Sequence, residues 1–356
     1  MLGLALALEL ARRGAEAVVF SRHSRSGRGE PAGLVNPQAR PEVAPEPVRD
    51  LALLSRHLFP SWIEAIEEEG GLSCEFDVRG GLSVALSDAE EVELDRALDW
   101  QRARALPFEV LAAEEARARE PALGAAVQAA FAFPGDGQVS PSRLRRGLAF
   151  AAARAGVLVL TETPALAVRV EAGRAAGLET AAGFLRADAV VNAGGPWAAH
   201  LPGAPPVPVT PLRLPVVLLD AAADPDRLSR FVASPGGALV PRRDGGVAVA
   251  GLPSASGFEA RLFAGEVSRL VGRAVSILPG AARYPLVAAW ASVAAASPDG
   301  VPLLGETAVP GVFLSTGAGA DALLFAPGAA VLVADLLTGS APPLTPTPYS
   351  PARFDL

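Results

Sequence analysis

The sequence predicts an α/β fold with α+β character, in which a layer of parallel strands and helices is interrupted by an inserted antiparallel sheet. Leucines and alanines at residues 4–13 have the spacing of a helix that ends at Gly14, and the apolar residues 17–20 then form a short buried parallel strand. Residues 76–86 and 207–257 instead carry alternating apolar residues and glycine turns, which is typical of antiparallel strands. A chain of 356 residues is long enough for both units.

The first twenty residues have the order of a Rossmann-like dinucleotide-binding unit after its first strand: a glycine, a helix, a glycine stop and a second strand. In the full unit a strand leads into G-x-G-x-x-G, whose glycines let the backbone approach a pyrophosphate. Gly3 matches the last of these glycines. We therefore expect the first strand and the first two glycines to be missing from this chain, through an internal start or a natural truncation.

The remaining elements follow from apolar spacing and from glycine and proline stops. Residues 22–47, rich in glycine, proline and arginine, are predicted to form a long loop. Helices are predicted at residues 48–70, 88–105, 141–156 and 262–278, with a short one from 113 and a last one between 317 and 337. Strands are predicted at 157–160, 184–191, 286–294 and 312–315, with a hairpin at 168–179.

These elements divide the chain into two interleaved domains. Residues 1–75, 140–206 and 295–356 are predicted to form the discontinuous Rossmann-like domain, without its first strand. Residues 76–139 and 207–294 are predicted to form a second domain with an antiparallel sheet.

Composition excludes several classes of protein. All 31 basic residues are arginine, so the chain has neither a Schiff-base lysine nor the lysine of a P-loop. The single Cys74 forms no internal disulfide, and three scattered histidines lack metal-ligand spacing. A net charge of −7 gives no reason to expect nucleic-acid binding, and no apolar stretch is long enough to cross a membrane. We expect a cytoplasmic protein without a metal.

Three glycine-bearing strand ends are predicted to meet in one crevice. Residues 190–192 form an apolar strand that breaks into Ala193, Gly194 and Gly195 before Trp197. Gly3 precedes this turn in the chain, and the run from Gly317 to Gly319 follows the last strand. Small residues at the carboxyl ends of parallel strands let a flat or phosphorylated ligand approach the backbone amides. An ordinary glycine-rich turn is the alternative for any one of the three.

The order of these motifs resembles the D-amino-acid oxidase/glycine oxidase family of FAD-dependent oxidoreductases over essentially the whole chain. The matching segments are residues 31–34, 135–139, 193–197, 239–245, 297–305, 316–317 and 323–327, together with Gly3 and Trp290. The resemblance implies FAD across the strand ends and a second sheet covering a small-molecule amine substrate. It also implies hydride transfer from the carbon that bears the nitrogen to the flavin, which oxidises the C–N bond of an amino acid or secondary amine.

The resemblance further implies which positions bind the cofactor, while no catalytic residue and no metal ligand is assigned. The expected FAD-binding residues are Gly3, Ser21, Arg22, Gly33, Leu34, Ala165, Ala193, Gly194, Gly195, Trp197, Gly317, Gly319, Asp321 and Leu323. Ser21 stands where the family has an acidic residue for the FAD ribose. Ala294 and Ala238 stand where an arginine and a tyrosine would bind the substrate, so we expect an apolar substrate site.

The other polar and aromatic candidates have structural alternatives. Arg242 and Arg243 lie at a predicted hairpin and are expected to be solvated, whereas Asp299 is expected to form a turn. Arg213 is a candidate for a structural role. Asp321 is expected to cap the last helix or to face the flavin. Trp197 and Trp290 are expected in the core rather than as stacking platforms.

Two further functions remain open at the level of sequence. Alanine at positions 238, 294 and 320 favours a non-catalytic scaffold that keeps the flavoprotein fold. The runs at residues 31–35 and 351–354 are similar to those of the oxidase half of an enzyme that modifies wobble uridine in tRNA.

Overall fold

Helices and strands alternate through the described part of the computed structural model, which comprises residues 1–22, 29–39, 44–255 and 257–356. The helices are α1 (Leu2–Arg12), α2 (Glu46–Gly70), α3 (Asp88–Ala97), α4 (Asp99–Ala103), α5 (Ala113–Arg119), α6 (Pro141–Arg154), α7 (Ala264–Ile277) and α8 (Ala326–Thr338). The first ten strands are β1 (Val18–Phe20), β2 (Leu34–Val35), β3 (Gly81–Ala85), β4 (Glu109–Ala112), β5 (Ala129–Phe133), β6 (Gly137–Gln138), β7 (Leu158–Leu160), β8 (Ala165–Glu171), β9 (Arg174–Thr180) and β10 (Gly183–Arg186). The others are β11 (Val190–Asn192), β12 (Thr210–Asp220), β13 (Phe231–Ser234), β14 (Gly237–Pro241), β15 (Gly246–Ala250), β16 (Ser254–Ala255), β17 (Leu286–Ala296), β18 (Leu303–Glu306) and β19 (Val312–Thr316).

The parallel layer is built from two pairs of strands. β1 pairs with β7, and β11 pairs with β19, which carries β18 antiparallel on its other side. The interiors of α1, α2, α6 and α8 share one apolar cluster, against which Val19, Val159 and Val191 of both pairs pack. Among the described residues, β1 and β11 are each paired on one side only. That the first strand of the dinucleotide-binding unit is missing from this chain stays a prediction.

The second unit is a nine-stranded mixed sheet, hereafter the cap sheet, in the order β16-β12-β15-β14-β13-β3-β5-β4 with β17 on β12. It is largely antiparallel, but β13 and β3 run parallel. α7 packs against one face through Leu270, Ala274 and Ile277. The opposite face packs against the segment around Ala32. The structure thus confirms a mixed α/β fold with antiparallel sheets, while the exact domain boundaries stay a prediction.

Several element boundaries differ from the sequence prediction for local reasons. The predicted helix at 88–105 is two helices that meet at Leu98. The last helix begins at Ala326, where Pro327 occupies its first turn, and a short 3₁₀ turn at Gly319–Asp321 precedes it. Part of the predicted loop at 22–47 lies outside the described residues, and β2 within it pairs with β6. No helix in the described ranges combines the length and apolar character of a membrane span.

Cys74 lies in the apolar cluster of the parallel layer and is fully buried. Burial raises the pKa of its thiol to about 12, and the nearby Glu67 carboxylate adds to this increase. Since the thiolate is the reactive form, the folded protein keeps this thiol inert.

An ion pair between Glu90 of α3 and Arg273 of α7 connects the two helices. Both guanidinium nitrogens of Arg273 lie 2.8 Å from the two carboxylate oxygens of Glu90. Burial raises the pKa of Glu90, but hydrogen bonds from Arg273 and from the Leu86 N–H outweigh it, so the folded-state pKa lies below the usual value of 4.5. The carboxylate therefore stabilises the fold above the unfolded-state pKa and ceases to do so as the pH falls through the folded-state pKa.

We expect Glu90→Gln to lower the free energy of unfolding at pH 7 by roughly 1–2 kcal/mol, because it removes a charge-assisted hydrogen bond. The difference from the wild type should begin to shrink as the pH falls below about 4.5, where Glu90 of the unfolded chain becomes protonated, and should be lost once the pH is below the lower folded-state pKa. Urea unfolding between pH 7 and pH 3 measures this. Glu93→Gln on the exposed side of α3 is the control and should have little effect at any pH. A pH-independent difference for Glu90→Gln would contradict the prediction.

Candidate functional site

The amino end of α1 packs directly on the carboxyl end of β11. A Cβ added to Gly3 would lie 2.8 Å from the Cβ of Ala193, which is too close for any larger side chain without movement. The first turn of α1 contains no acidic residue. Because the N–H groups of a helix's first turn have no helical acceptor, this end is suited to an anionic group.

A glycine turn follows β11 and is held by Asn192. The Asn192 side chain accepts the Gly194 N–H at 3.1 Å and donates to the Ala198 carbonyl at 2.9 Å. Gly195 has φ +55°, and its carbonyl accepts the Thr316 hydroxyl at 3.3 Å from the end of β19. The ends of β11 and β19 are therefore joined at this turn.

A second glycine turn follows β19 and meets the cap sheet. Gly317 and Gly319 have φ +76° and +57°. Ser297 N–H donates to the Gly317 carbonyl at 3.3 Å, and Ala296 at the end of β17 bridges to Ala318. A Cβ added to Gly195 or Gly319 would meet no atom within 4 Å. Both turns therefore have open space beside them.

A third glycine brings the segment before β2 against the start of α6. Gly33 has φ +92°, and a Cβ there would lie 2.1 Å from the Val139 carbonyl oxygen. Val139 N–H donates back to the Gly33 carbonyl at 2.8 Å. Leu34 packs against the apolar cluster on the face of the cap sheet opposite α7. Gly33 and Leu34 thus lie where the two units meet.

The residues after β1 form an aromatic and cationic group. Ser21 N–H donates to the Leu160 carbonyl at 2.8 Å. The Arg22 guanidinium lies 4.8 Å from the centre of the Trp197 ring, which in turn lies 5.7 Å from the Phe258 ring. Ala165 at the start of β8 packs, with Phe20 of β1, against a small satellite cluster. Trp197 therefore links Arg22 with the cap unit rather than lying in the core.

Asp321 does not cap the last helix, contrary to one of the predictions. The residue before the first turn of α8 is Phe325, which makes no side-chain cap, and Asp321 contributes its carbonyl to the Phe325 N–H at 2.8 Å. Leu323 is buried in the cluster beneath α8. It therefore contributes to the core that supports the glycine turn.

The prediction that Arg242 is solvated is wrong, while Arg243 is exposed as predicted. The Arg242 guanidinium donates to the carbonyl oxygens of Ala32 at 2.6 Å and Val139 at 3.2 Å. Burial lowers its pKa. Arg242 thus fastens the end of β14 to the segment that carries Gly33.

Arg213, Asp299 and Trp290 have the structural roles predicted for them. Arg213 lies 2.6 Å from Glu266 of α7, and Asp299 accepts the Val301 N–H at 3.1 Å. Trp290 packs against the apolar cluster of the cap sheet and donates its indole N–H to the Glu30 carbonyl at 2.8 Å.

Sequence reasoning missed two residues that shape the site. Asn192 orders the turn after β11, as described above. Asp136 is fully buried and accepts the N–H groups of Gln38 and Ala39, at 3.2 and 2.7 Å. The aspartate between glycines at 135–137 locally indicates only a turn, because its partners Gln38 and Ala39 lie 98 and 97 positions away in the sequence.

The glycine turns at the strand ends, covered by the cap sheet, have the arrangement of a dinucleotide-binding fold, and comparison with known proteins identifies the family. Residues 1–336 match the DAO family model, described as FAD dependent oxidoreductase, so the chain belongs to this FAD-dependent family. It is 32% identical to the glycine oxidase of Pseudomonas aeruginosa, over 99% of this chain and 96% of that protein. The crystal structure of glycine oxidase from Geobacillus kaustophilus superposes with a TM-score of 0.90 at 30% identity, covering 98% of this chain and 95% of that one. The structure of iminodiacetate oxidase from Chelativorans shares the fold, with a TM-score of 0.84 at 24% identity and coverage of 98% and 96%.

Proposed function

We propose that this protein oxidises the C–N bond of an amine or amino acid, with FAD as the electron acceptor. The observation that carries this proposal is the meeting of three glycine segments beneath the cap sheet, at Gly3, at Gly194–195 and at 317–319. The relatives named glycine oxidase and iminodiacetate oxidase support the reaction class. The scaffold and tRNA-modification alternatives are not favoured, because the similar proteins over nearly the whole chain are named glycine oxidase.

The residues present fit FAD at most of the positions that would hold it. No atom lies within 4 Å of the position that a Cβ on Gly195 or Gly319 would take, so a cofactor could approach the backbone at both turns. The amino end of α1 at Gly3 suits the pyrophosphate, and Ser21 offers a hydroxyl where a carboxylate would bind the ribose. The other cofactor-binding positions that the resemblance implies belong to this proposal as well. When bound, FAD supplies the hydride acceptor.

The chain's own groups have a positioning role in this reaction. Backbone N–H groups at the first turn of α1, and the open backbone beside Gly195 and Gly319, would hold the cofactor. The cap sheet covers the substrate and excludes water from the reacting carbon.

We propose that residues 1–75, 140–206 and 295–356 form the cofactor domain and that residues 76–139 and 207–294 form the cap. We also propose that the protein works in the cytoplasm.

An absorbance scan of the purified protein tests the proposal directly. Bands near about 375 and 450 nm that bleach when an amine or amino acid is added without oxygen would support it. Protein that stays colourless after incubation with free FAD, although it is folded by circular dichroism, would overturn it.

We expect Gly3→Val to weaken flavin binding by roughly tenfold or more, because the added side chain forces α1 away from Ala193 at a cost of about 1–3 kcal/mol. Titration of apoprotein with FAD, followed by flavin fluorescence, measures the dissociation constant. Gly272→Ala is the control, because a Cβ on this residue of α7 meets no atom within 4 Å. Equal affinity of Gly3→Val and wild type would contradict the placement of the cofactor.

A further inference from the structure

The carbonyl groups of Ala32 and Gly33 both have hydrogen-bond donors. One terminal nitrogen of the Arg242 guanidinium donates to the Ala32 carbonyl at 2.6 Å, and the other donates to the Val139 carbonyl at 3.2 Å. The Gly33 carbonyl accepts the Val139 N–H at 2.8 Å. A single side chain of the cap sheet thus spans two backbone segments that are also bonded to each other.

The N–H groups of the same two residues lack acceptors. Ala32 and Gly33 are both buried, and neither N–H has a hydrogen-bond acceptor among the residues that the structure describes. Nearly all buried backbone N–H groups in folded proteins are paired, because an unpaired one loses its hydration without compensation. These two N–H groups are therefore suited to an acceptor atom of a bound molecule.

Arg242 fixes the direction of one of these N–H groups. The Ala32 carbonyl and the Gly33 N–H belong to one peptide unit, which is planar and trans. The Gly33 N–H therefore points away from the guanidinium that binds the carbonyl. The guanidinium also strengthens this N–H as a donor, because a cation at the carbonyl oxygen polarises the peptide unit. Without Arg242, both the orientation and the polarisation of the peptide would be lost.

The hairpin between β14 and β15 holds the backbone of Arg242 in place. The Arg242 N–H donates to the Gly246 carbonyl at 2.7 Å, and the Arg242 carbonyl accepts the Gly245 N–H at 3.1 Å. The next residue, Arg243, is exposed. The hairpin thus carries two arginines side by side, of which one reaches Ala32 and the other lies in solvent.

The acceptor that fits these N–H groups follows from where the segment lies. Ala32 and Leu34 pack against the cap sheet, which covers the reacting end of the cofactor in the proposed function. That end of FAD is the flavin ring, whose carbonyl oxygens and ring nitrogens accept hydrogen bonds. We propose that Arg242 is a positioning residue that directs the Gly33 N–H at an acceptor atom of the flavin ring, an inference that rests on the proposed function.

Variants of the two neighbouring arginines test the inference. Arg242→Gln removes the charge and the two-nitrogen fork, and Arg243→Gln removes an exposed guanidinium from the same hairpin as the control. We expect the dissociation constant for FAD to rise at least about threefold in Arg242→Gln, which corresponds to the loss of one hydrogen bond. The visible flavin bands of this variant should also shift. Arg243→Gln should match the wild type in both measurements.

A purely structural role of Arg242 would give a different pattern. Arg242→Gln would then lower the free energy of unfolding, but the folded variant would keep the wild-type dissociation constant and flavin spectrum. That result would overturn the inference. Arg242→Lys keeps the charge without the fork, so we expect its dissociation constant for FAD to lie between those of the wild type and Arg242→Gln. A lysine variant that binds FAD no better than Arg242→Gln would contradict the inference.

A measurement on the wild type covers the case in which Arg242→Gln does not fold. Amide hydrogen exchange is followed at single residues in the apoprotein and in the holoenzyme. We expect exchange of the Gly33 N–H to slow at least about tenfold when FAD binds, while the exposed Gly173 between β8 and β9 stays unchanged. Unchanged exchange at Gly33 in protein that binds FAD would overturn the inference and leave the proposed function intact. Folded protein that binds no FAD would overturn both.

Discussion

Replacement of Arg213 by methionine is expected to lower the free energy of unfolding by about 3 kcal/mol or more. The Arg213 side chain is 9% exposed, and its partner Glu266 is 12% exposed. The guanidinium also donates to the Arg261 carbonyl at 3.1 Å and lies 5.1 Å from the Phe263 ring. Methionine keeps the volume but leaves the buried Glu266 carboxylate without its cation. Urea unfolding at pH 7 measures the loss.

Two controls show whether charge pairing causes this loss. Arg261→Met removes an exposed guanidinium and should change the free energy of unfolding by less than about 0.5 kcal/mol. The double variant Arg213→Met/Glu266→Gln should recover part of the loss, because no unpaired charge then remains buried. Arg213→Met with wild-type stability would contradict the prediction. Because Arg213 faces α7 rather than the glycine turns, folded Arg213→Met should keep the wild-type flavin spectrum.

Replacement of Gly33 by alanine is expected to lower the free energy of unfolding by about 3 kcal/mol through two separate effects. Its positive φ strains any residue with a Cβ, and that Cβ would lie 2.1 Å from the Val139 carbonyl oxygen and 3.0 Å from the Pro141 ring. The clash of the added Cβ with Val139 and Pro141 can be relieved only if the start of α6 moves. Urea unfolding measures the combined loss of free energy of unfolding. The same movement of α6 should also weaken flavin binding.

Gly156 provides the matched control, because it separates backbone strain from close packing. Its φ of +88° is nearly that of Gly33, but a Cβ on Gly156 meets no atom within 4 Å. Gly156→Ala should therefore cost only the backbone strain, about 1–2 kcal/mol. The excess cost in Gly33→Ala measures the close approach to Val139. Equal costs in the two variants would show that the contact with α6 can relax freely.

The helices and strands that could be predicted correctly are those marked by residues within the element itself, such as apolar spacing and a glycine at its end. The helix at 48–70 and the strand at 17–20 were recognisable from apolar spacing and glycine stops, and the structure has them as Glu46–Gly70 and Val18–Phe20. Gly3 and the turn at 193–195 were also predicted to meet, because the ends of parallel strands share one edge of a sheet. In the structure Gly3 packs on Ala193.

Contacts between residues distant in sequence could not be predicted in the same way. Arg242 follows a strand beside a turn, which locally indicates an exposed residue, but its acceptors are carbonyls 210 and 103 positions away. Asp321 lies close enough to the last helix to indicate a cap. The 3₁₀ turn at Gly319–Asp321 and Pro327 instead delay the helix to Ala326. The Arg242 error arises because tertiary contacts outweigh local propensity, whereas the Asp321 error arises from the local geometry at the start of the helix.

Because Cys74 is buried, chemical labelling of its thiol can be used to measure local unfolding of this protein. A thiol-specific reagent reaches the sulfur only when the packing around Cys74 opens, and no second cysteine in the 356 residues competes for it. The labelling rate consequently reports the opening of this part of the parallel layer, whether it opens locally or with the whole molecule. Combined with a global probe such as circular dichroism, it distinguishes independent melting of the cap sheet from cooperative unfolding of the whole molecule.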